Sequence, residues 1–302
     1  MAFQLKANES VGAGVTRNVR RQLEKAIECS GGKRKQSESD AAFEIRKCFK
    51  RIRAALRLVR ADLGDDLYRE ENFCFRDAAR PLTEIRDAHV LVETADKLKQ
   101  QFPGAIAVDA FAKIREALLA NRREVTGRVL DGKKAFAGVK DVATRALTRL
   151  PEWKLISDRP PAIEPGFRRV YRAGHRALAL AAENPTVENL HEWRKQSKYL
   201  WHQLQLLETA LPVQEKELIN QTHKLATLLG EDHDLAVLRA TLAADPLAYG
   251  GHRILKDLFV VIDRERREIE IQAFSIGRRI YQDPPKVFVT RIETSTGCEA
   301  VR

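Results

Sequence analysis

Cysteine is scarce in this chain and poorly spaced for chemistry. There are four, Cys29, Cys48, Cys74 and Cys298, with no CxxC pair and no metal-ligand spacing, so no zinc site can be read from them. With no secretory pattern beside them, they are the expected thiols of a reduced, cytosolic protein. Met1-Ala2-Phe3-Gln4-Leu5-Lys6 begins no apolar signal core, and no run approaches the ~18 apolar residues of a membrane span, so neither export nor a membrane is expected. The three tryptophans, Trp153, Trp193 and Trp201, are too few and too dispersed for a base-stacking platform. A P-loop, a GxSxG elbow, an HExxH helix and a paired-carboxylate pattern are all missing. No recognition helix for DNA can be singled out. Strand-like alternation of useful length is missing as well. The expectation is a protein that binds rather than catalyses, with no cofactor and no metal.

What is present is positive charge. The 302 residues are 44% hydrophobic and 31% charged, the range of a folded globular chain, and carry a net charge of +11. Residues 1–60 hold 15 Lys or Arg against 6 Asp or Glu, so about nine of the eleven excess charges sit there. Such a concentration points to a polyanionic partner: nucleic acid, a polyphosphate or an acidic membrane surface.

Apolar periodicity is helical almost throughout. Helices are predicted over Ser10–Glu28, Glu38–Ala61, Asp66–Lys99 and Val108–Leu130, the first two separated by a polar loop at Ser30–Lys35 and the last stopped by Asp131-Gly132. Residues 133–163 read as a connector with a short helical stretch, then Leu150-Pro151 and Arg159-Pro160-Pro161, which cannot sit inside helices. Four more helices follow, over Glu164–Glu183, Thr186–Leu211, Val213–Ala243 and Tyr249–Gln282, with Thr186 an N-cap candidate. Residues 284–302 read as an extended tail. The fold class is all-α: a four-helix half over 1–132 and a second over 164–283.

The halves echo each other. Glu44-Ile45-Arg46-Lys47-Cys48-Phe49-Lys50 recurs 148 residues later as Glu192-Trp193-Arg194-Lys195-Gln196-Ser197-Lys198, both copies reading Glu-x-Arg-Lys-x-x-Lys. Leu82-Thr83-Glu84-Ile85-Arg86-Asp87 aligns with Leu229-Gly230-Glu231-Asp232-His233-Asp234 at an offset of 147. Two matched segments at nearly one spacing imply an internal duplication.

Along the second predicted helix, Arg46, Lys50, Arg53, Arg57 and Arg60 are spaced by 4, 3, 4 and 3 residues, which makes a stripe of one sign. Each lies one residue beyond a member of the apolar stripe Ile45, Phe49, Ile52, Leu56 and Val59. Lys47 and Arg51 widen the basic surface. Like charges at these spacings repel by a few tenths of a kcal/mol per pair, so an ordinary surface helix would intersperse acids. The matching helix keeps Arg194, Lys195 and Lys198, headed by His191, whose counterpart is Phe43. Arg20 and Arg21 give the first helix a basic face, and Arg172 and Arg176 do so on the helix before Thr186. These faces are expected to converge on one central groove. The bland alternative is that the long stems pack on apolar surface with their heads in water.

His233-Asp234, with His223 upstream, has the look of a metal-dependent phosphohydrolase site. Metal ligation would need several such side chains converging with an oriented outer shell, yet the first half offers Arg86 where the second has His233. Asp87 and Asp234 read instead as structural anchors, holding basic side chains of neighbouring helices through charge-assisted hydrogen bonds.

The opening Leu5-Lys6-Ala7-Asn8-Glu9-Ser10, the two Glu-x-Arg-Lys-x-x-Lys helices, Arg86-Asp87 and Gly230-Glu231-Asp232-His233-Asp234 together resemble the CHAD (conserved histidine α-helical domain) family over roughly residues 3–283. The resemblance implies two four-helix bundles related by pseudo-twofold symmetry around a basic central cavity or groove. It implies binding of inorganic polyphosphate, with residence at polyphosphate granules. On that reading Arg46, Lys47, Lys50, Arg53 and Arg57 supply one wall, and His191, Arg194, Lys195 and Lys198 the other. Arg20, Arg21, Arg172 and Arg176 close the groove. One departure stands out: the family's namesake histidine at the head of the first motif is Phe43 here. Nucleic acid remains a weaker alternative partner, and an acidic protein docked on a helical scaffold a third.

Overall fold

The computed structural model describes residues 3–6, 9–31, 37–104, 107–130, 134–155, 164–211 and 213–295. The predicted breaks at Gly32–Lys35, Asp131-Gly132 and Arg159–Pro161 lie outside them, as do Ala7, Asn8 and Cys298. Among the described residues there are twelve α-helices and no strand, so the all-α expectation holds. The first half contains α1 (Val11–Ser30), α2 (Glu38–Leu58), α3 (Arg60–Leu63), α4 (Asp65–Ala79), α5 (Leu82–Gln101) and α6 (Val108–Leu130). Then come α7 (Lys134–Arg149), α8 (Glu164–Glu183), α9 (Val187–Leu207), α10 (Lys216–Ala244), α11 (His252–Ile280) and α12 (Pro285–Ser295).

The starts are set by hydroxyl caps. The backbone amides of Ala13, Asp40 and Asn189 donate to the side chains of Ser10, Ser37 and Thr186, at 3.2, 3.1 and 3.2 Å, relieving the unpaired donors of α1, α2 and α9. Each of these helices then buries one apolar face. In α2 the face is Ile45, Phe49, Ile52 and Leu56, the stripe read from the sequence. α2 lies at the centre, packed against α1, α4, α5, α8 and α9.

Three segments differ from the sequence reading. The helix predicted over Asp66–Lys99 is two helices, α4 and α5, parted at Arg80-Pro81. Pro81 has no N–H to continue the ladder and its ring crowds the preceding turn. The predicted connector carries α7, sixteen residues long, which packs on α1 and α4. Its last residue, Arg149, donates from Nε and Nη2 to the fully buried Glu71 carboxylate at 2.8 and 3.0 Å. The predicted tail carries α12, whose Phe288 stacks on Tyr171 with ring centres 3.8 Å apart and lies 5.6 Å from Phe167. Pro285 at its first position fits that start, because the missing N–H would be unpaired there anyway.

The halves meet along several faces. α2 crosses α9, where the Gln203 amide donates to the Ala54 carbonyl at 3.4 Å. α5 lies against α10. The start of α8 presses on the end of α2, where a Cβ on Gly166 would stand 2.1 Å from the Leu58 carbonyl oxygen. The residues before α1 also cross over: the Leu5 amide donates to Leu206 O at 2.8 Å, and Thr209 Oγ1 donates to Leu5 O at 2.7 Å.

Candidate anion-binding site

Both copies of Glu-x-Arg-Lys-x-x-Lys divide their charges in the same way. The glutamate pairs with the second basic residue one turn on: Glu44 takes Lys47 at 3.6 Å as well as Lys25, and Glu192 takes Lys195. The first and third basic residues, four apart and so on one helical face, turn inward. Arg46 and Lys50 on α2 thereby face Arg194 and Lys198 on α9. The expected site thus loses Lys47 and Lys195 to the outer side of the helices and keeps the other four.

A fifth cation stands between them. Arg86 of α5 donates from both terminal nitrogens to the two carboxylate oxygens of Asp234 on α10, at 3.2 and 3.1 Å, and to Asp87 at 3.3 Å. The first of these joins the halves of the chain through a two-pronged pair, the strongest neutral-pH contact available to a guanidinium. Asp234, expected to anchor a basic side chain, receives Arg86 in this way. The sequence alignment set Arg86 opposite His233 but carried no sign that it crosses to the other half.

Arg46 donates to the Thr83 hydroxyl and, at 3.2 Å, to Ala79 O. Both acceptors exist there because the chain breaks at Arg80-Pro81: Ala79 ends α4 with a free carbonyl, and Thr83 opens α5. Arg53 and Arg57 are more committed. Both donate to the Asn72 side-chain oxygen at 3.0 Å, and Arg57 also lies over the Tyr199 ring, 3.9 Å from its centre.

Electrostatically the cluster is under-compensated. Arg46, Lys50, Arg86, Arg194 and Lys198 face Asp87 and Asp234, and a third carboxylate near Arg194, Asp232, is already paired with Arg266 at 2.7 Å. Burial, then the neighbouring Lys198, Arg46, Arg194 and Arg86, hold the Lys50 ammonium well below the usual lysine range. Lys198 is brought down to about 7 by burial and by Arg194 and Arg86, against the pull of Asp234. Burial also lowers Arg46 and Arg194, and the buried Nε of Arg194 has no hydrogen-bond partner. Burial works against Arg86 too, yet its carboxylate partners leave it raised overall. Groups held in this way gain when an anion supplies the missing acceptor. Two openings flank them. One of about 430 Å³ is lined by Arg46, Lys50, Arg53, Arg76, Arg80 and Thr83, among others. Another of about 260 Å³ is lined by Arg86, Arg194, Lys198, Trp201 and Asp234, among others.

The remaining expected residues fall elsewhere. His191 sits at the exposed head of α9 with its Nδ1 3.3 Å from Nδ1 of His233. Burial, then Arg194, lower both rings, His233 to about 3, so the pair is uncharged at neutral pH. Phe43, the counterpart of His191, is 51% exposed and fills no space in the core. His223 stacks on Trp201 with ring centres 4.3 Å apart. So the three residues of the phosphohydrolase reading are held by three different partners, Asp234 by Arg86, His233 by His191 and His223 by Trp201. Among the described residues no group of three or more His, Cys, Asp or Glu is placed to hold a metal ion. Arg20, Arg172 and Arg176 are exposed and Arg21 half-buried, on α1 and α8. None of the four lines either opening. No described helix is long and apolar enough to cross a membrane.

Comparisons with known proteins agree with this architecture. A family model described as "CHAD domain" matches residues 17–243. The crystal structure of the CHAD domain from the plant Ricinus communis aligns with 100% of this chain and 96% of its own, with a TM-score of 0.56 at 16% identity. That likeness is one of fold. No curated protein matches the chain in sequence.

Proposed function

The chain belongs to the CHAD domain family, which is linked to polyphosphate binding in general, and from that premise we propose that it binds inorganic polyphosphate without acting on it chemically. One observation carries the reading: five cations from α2, α5 and α9 face one another around Asp87 and Asp234, and neither Lys50 nor Lys198 has a hydrogen-bond acceptor among the described residues. A polyphosphate chain carries about one charge per phosphate and repeats it along a flexible backbone. Fixed guanidinium and ammonium groups can follow such a chain without reading any sequence, Arg by two-pronged contacts and Lys as a point charge. The duplication then has a use, since α2 and α9 present matching pairs, Arg46 with Lys50 and Arg194 with Lys198, to one ligand from the two halves of the chain. Residence in the cytoplasm and at polyphosphate granules follows from the same reading.

Arg46→Glu combined with Arg194→Glu should abolish most binding of long-chain polyphosphate at about 0.15 M salt, where screening is physiological. Unchanged binding by a folded double variant would sink the site. Nucleic acid shares the charge argument, but its phosphates come with sugars and bases attached, which a largely buried cluster admits less readily than a bare phosphate chain. Displacement of bound polyphosphate by DNA or RNA at equal phosphate concentration would favour the nucleic-acid reading.

A further inference from the structure

The basic stripe of α2 continues beyond the five-cation cluster into a cavity that the duplicated motif does not account for. This cavity, of about 200 Å³, lies where the end of α2 meets α4, α8 and α9. Arg57, Arg60, Arg169, Tyr68, Gly166 and Gln196 are among its lining residues, and no acid is. Arg60 is fixed there by Asp65, at 2.7 Å, and by the Tyr68 ring, 4.5 Å away. Arg57 is fixed by Asn72 and Tyr199. Both guanidiniums are therefore held in place before any ligand arrives, which lowers the entropy cost of using them. Arg169, exposed on α8, faces the same space. The glycine at 166 is what lets α8 approach closely enough to bring Arg169 to the end of α2.

We propose that this cavity is a second phosphate-binding station, and that one polyphosphate chain runs along α2 from the Arg46–Lys50 cluster to Arg57 and on to Arg60 of α3 and Arg169 of α8. The inference rests on the polyphosphate reading above and adds a length requirement to it. Arg53 and Arg57 join the two stations. They share the Asn72 oxygen at 3.0 Å each, while Arg53 lines the larger opening beside Lys50 and Arg57 lines this one. From Arg46 to Arg57 is eleven residues within α2, about 16 Å at the helical rise of ~1.5 Å per residue, and Arg60 lies beyond, at the start of α3. Tripolyphosphate, with two P–O–P links, is too short to occupy both stations. A long chain can, and gains the second set of contacts without losing translational freedom again.

The test measures affinities of tripolyphosphate and long-chain polyphosphate for the wild type and for Arg169→Ala, a surface change that leaves the packing of α8 intact. Long-chain affinity should drop by about three- to tenfold, and the slope of log K against log salt should become shallower by about one, as for loss of one phosphate contact. Tripolyphosphate affinity should not change. Equal losses for both lengths, or no loss for the long chain, would overturn the second station while leaving the Arg46–Arg194 site standing. Failure of the wild type to bind either length would overturn the parent reading and the station with it. A thermal melt of Arg169→Ala that matches the wild type shows that any loss is one of contact.

Discussion

Lys198 shows how a single side chain ties the site to pH. Its folded value of about 7 lies below the ordinary 10.5, chiefly through burial and then Arg194 and Arg86. Between those two values the unfolded chain holds a proton that the folded, empty protein has released, so this group's contribution to stability improves as pH rises through the window. Its full cost is present below pH 7. Anion binding has the opposite sign, because the phosphate selects the ammonium form and raises its pKa. Polyphosphate affinity should therefore fall as pH is raised from about 7 toward 9, with protons taken up on binding in that range. Titration calorimetry in buffers of different ionisation enthalpy counts those protons. Lys198→Arg should flatten much of the profile, leaving the part due to Lys50. A wild-type affinity constant across the range would refute the coupling. His191 and His233, already neutral, contribute nothing over the same interval.

At the level of elements, close approach rather than propensity decides where the site's parts stand. The start of α8 can press on the end of α2 because residue 166 has no side chain, and a Cβ there would lie 2.1 and 2.5 Å from the Leu58 and Arg57 carbonyl oxygens. Gly166→Ala should force the helices apart, cost about 1–3 kcal/mol and lower the melting temperature by several degrees. A melt equal to the wild type would show that α8 is held by something else. The break at Arg80-Pro81 is the other decisive element. Apolar periodicity runs on across it through Phe75, Leu82 and Ile85, all buried, which is why a single helix is the natural reading of that stretch. The proline was the signal against it, and the Arg46 acceptors Ala79 and Thr83 exist only because it is obeyed. The helix over Pro285–Ser295 had a legible sign too. Phe288, Val289 and Ile292, all buried, have helical spacing after a proline suited to a first turn.

For the whole molecule, Arg86 with Asp234 is an ionic tie between the halves. The side chains are 17% and 19% exposed, so separating them leaves a largely buried guanidinium with only Asp87, at 3.3 Å, beside it. Asp234→Asn should cost about 2–3 kcal/mol, less than a fully buried pair, while making the cluster one charge more positive. Stability should fall and polyphosphate affinity should rise in the same variant, with added polyphosphate recovering more melting temperature than it gives the wild type. Loss of both properties together would assign Asp234 a purely architectural role. The helical class, the duplicated motif and the inward pair Arg46 with Lys50 could be read from spacing alone, since a 3.6-residue period exposes them. The outward turn of Lys47 and Lys195, the crossing of Arg86, and the Asn72 oxygen shared by Arg53 and Arg57 could not. Each depends on which helix lies beside which, and no local pattern encodes that.

The amide of Leu5 finds its acceptor on Leu206, and the carbonyl of Leu5 is reached by Thr209. On a ribosome adding about 5–20 residues per second, some ten to forty seconds separate the two ends of that contact. For that interval Phe3 and Leu5 are uncovered, and the nascent first half displays Arg46, Lys50 and Arg86 with Asp234 still unmade. A polyanion close to the translating ribosome would meet these cations when Asp87 is the one carboxylate of the cluster yet made. The vectorial order of synthesis thus gives the first half a period in which its share of the cluster, Arg46, Lys50 and Arg86, stands without Arg194, Lys198 and Asp234.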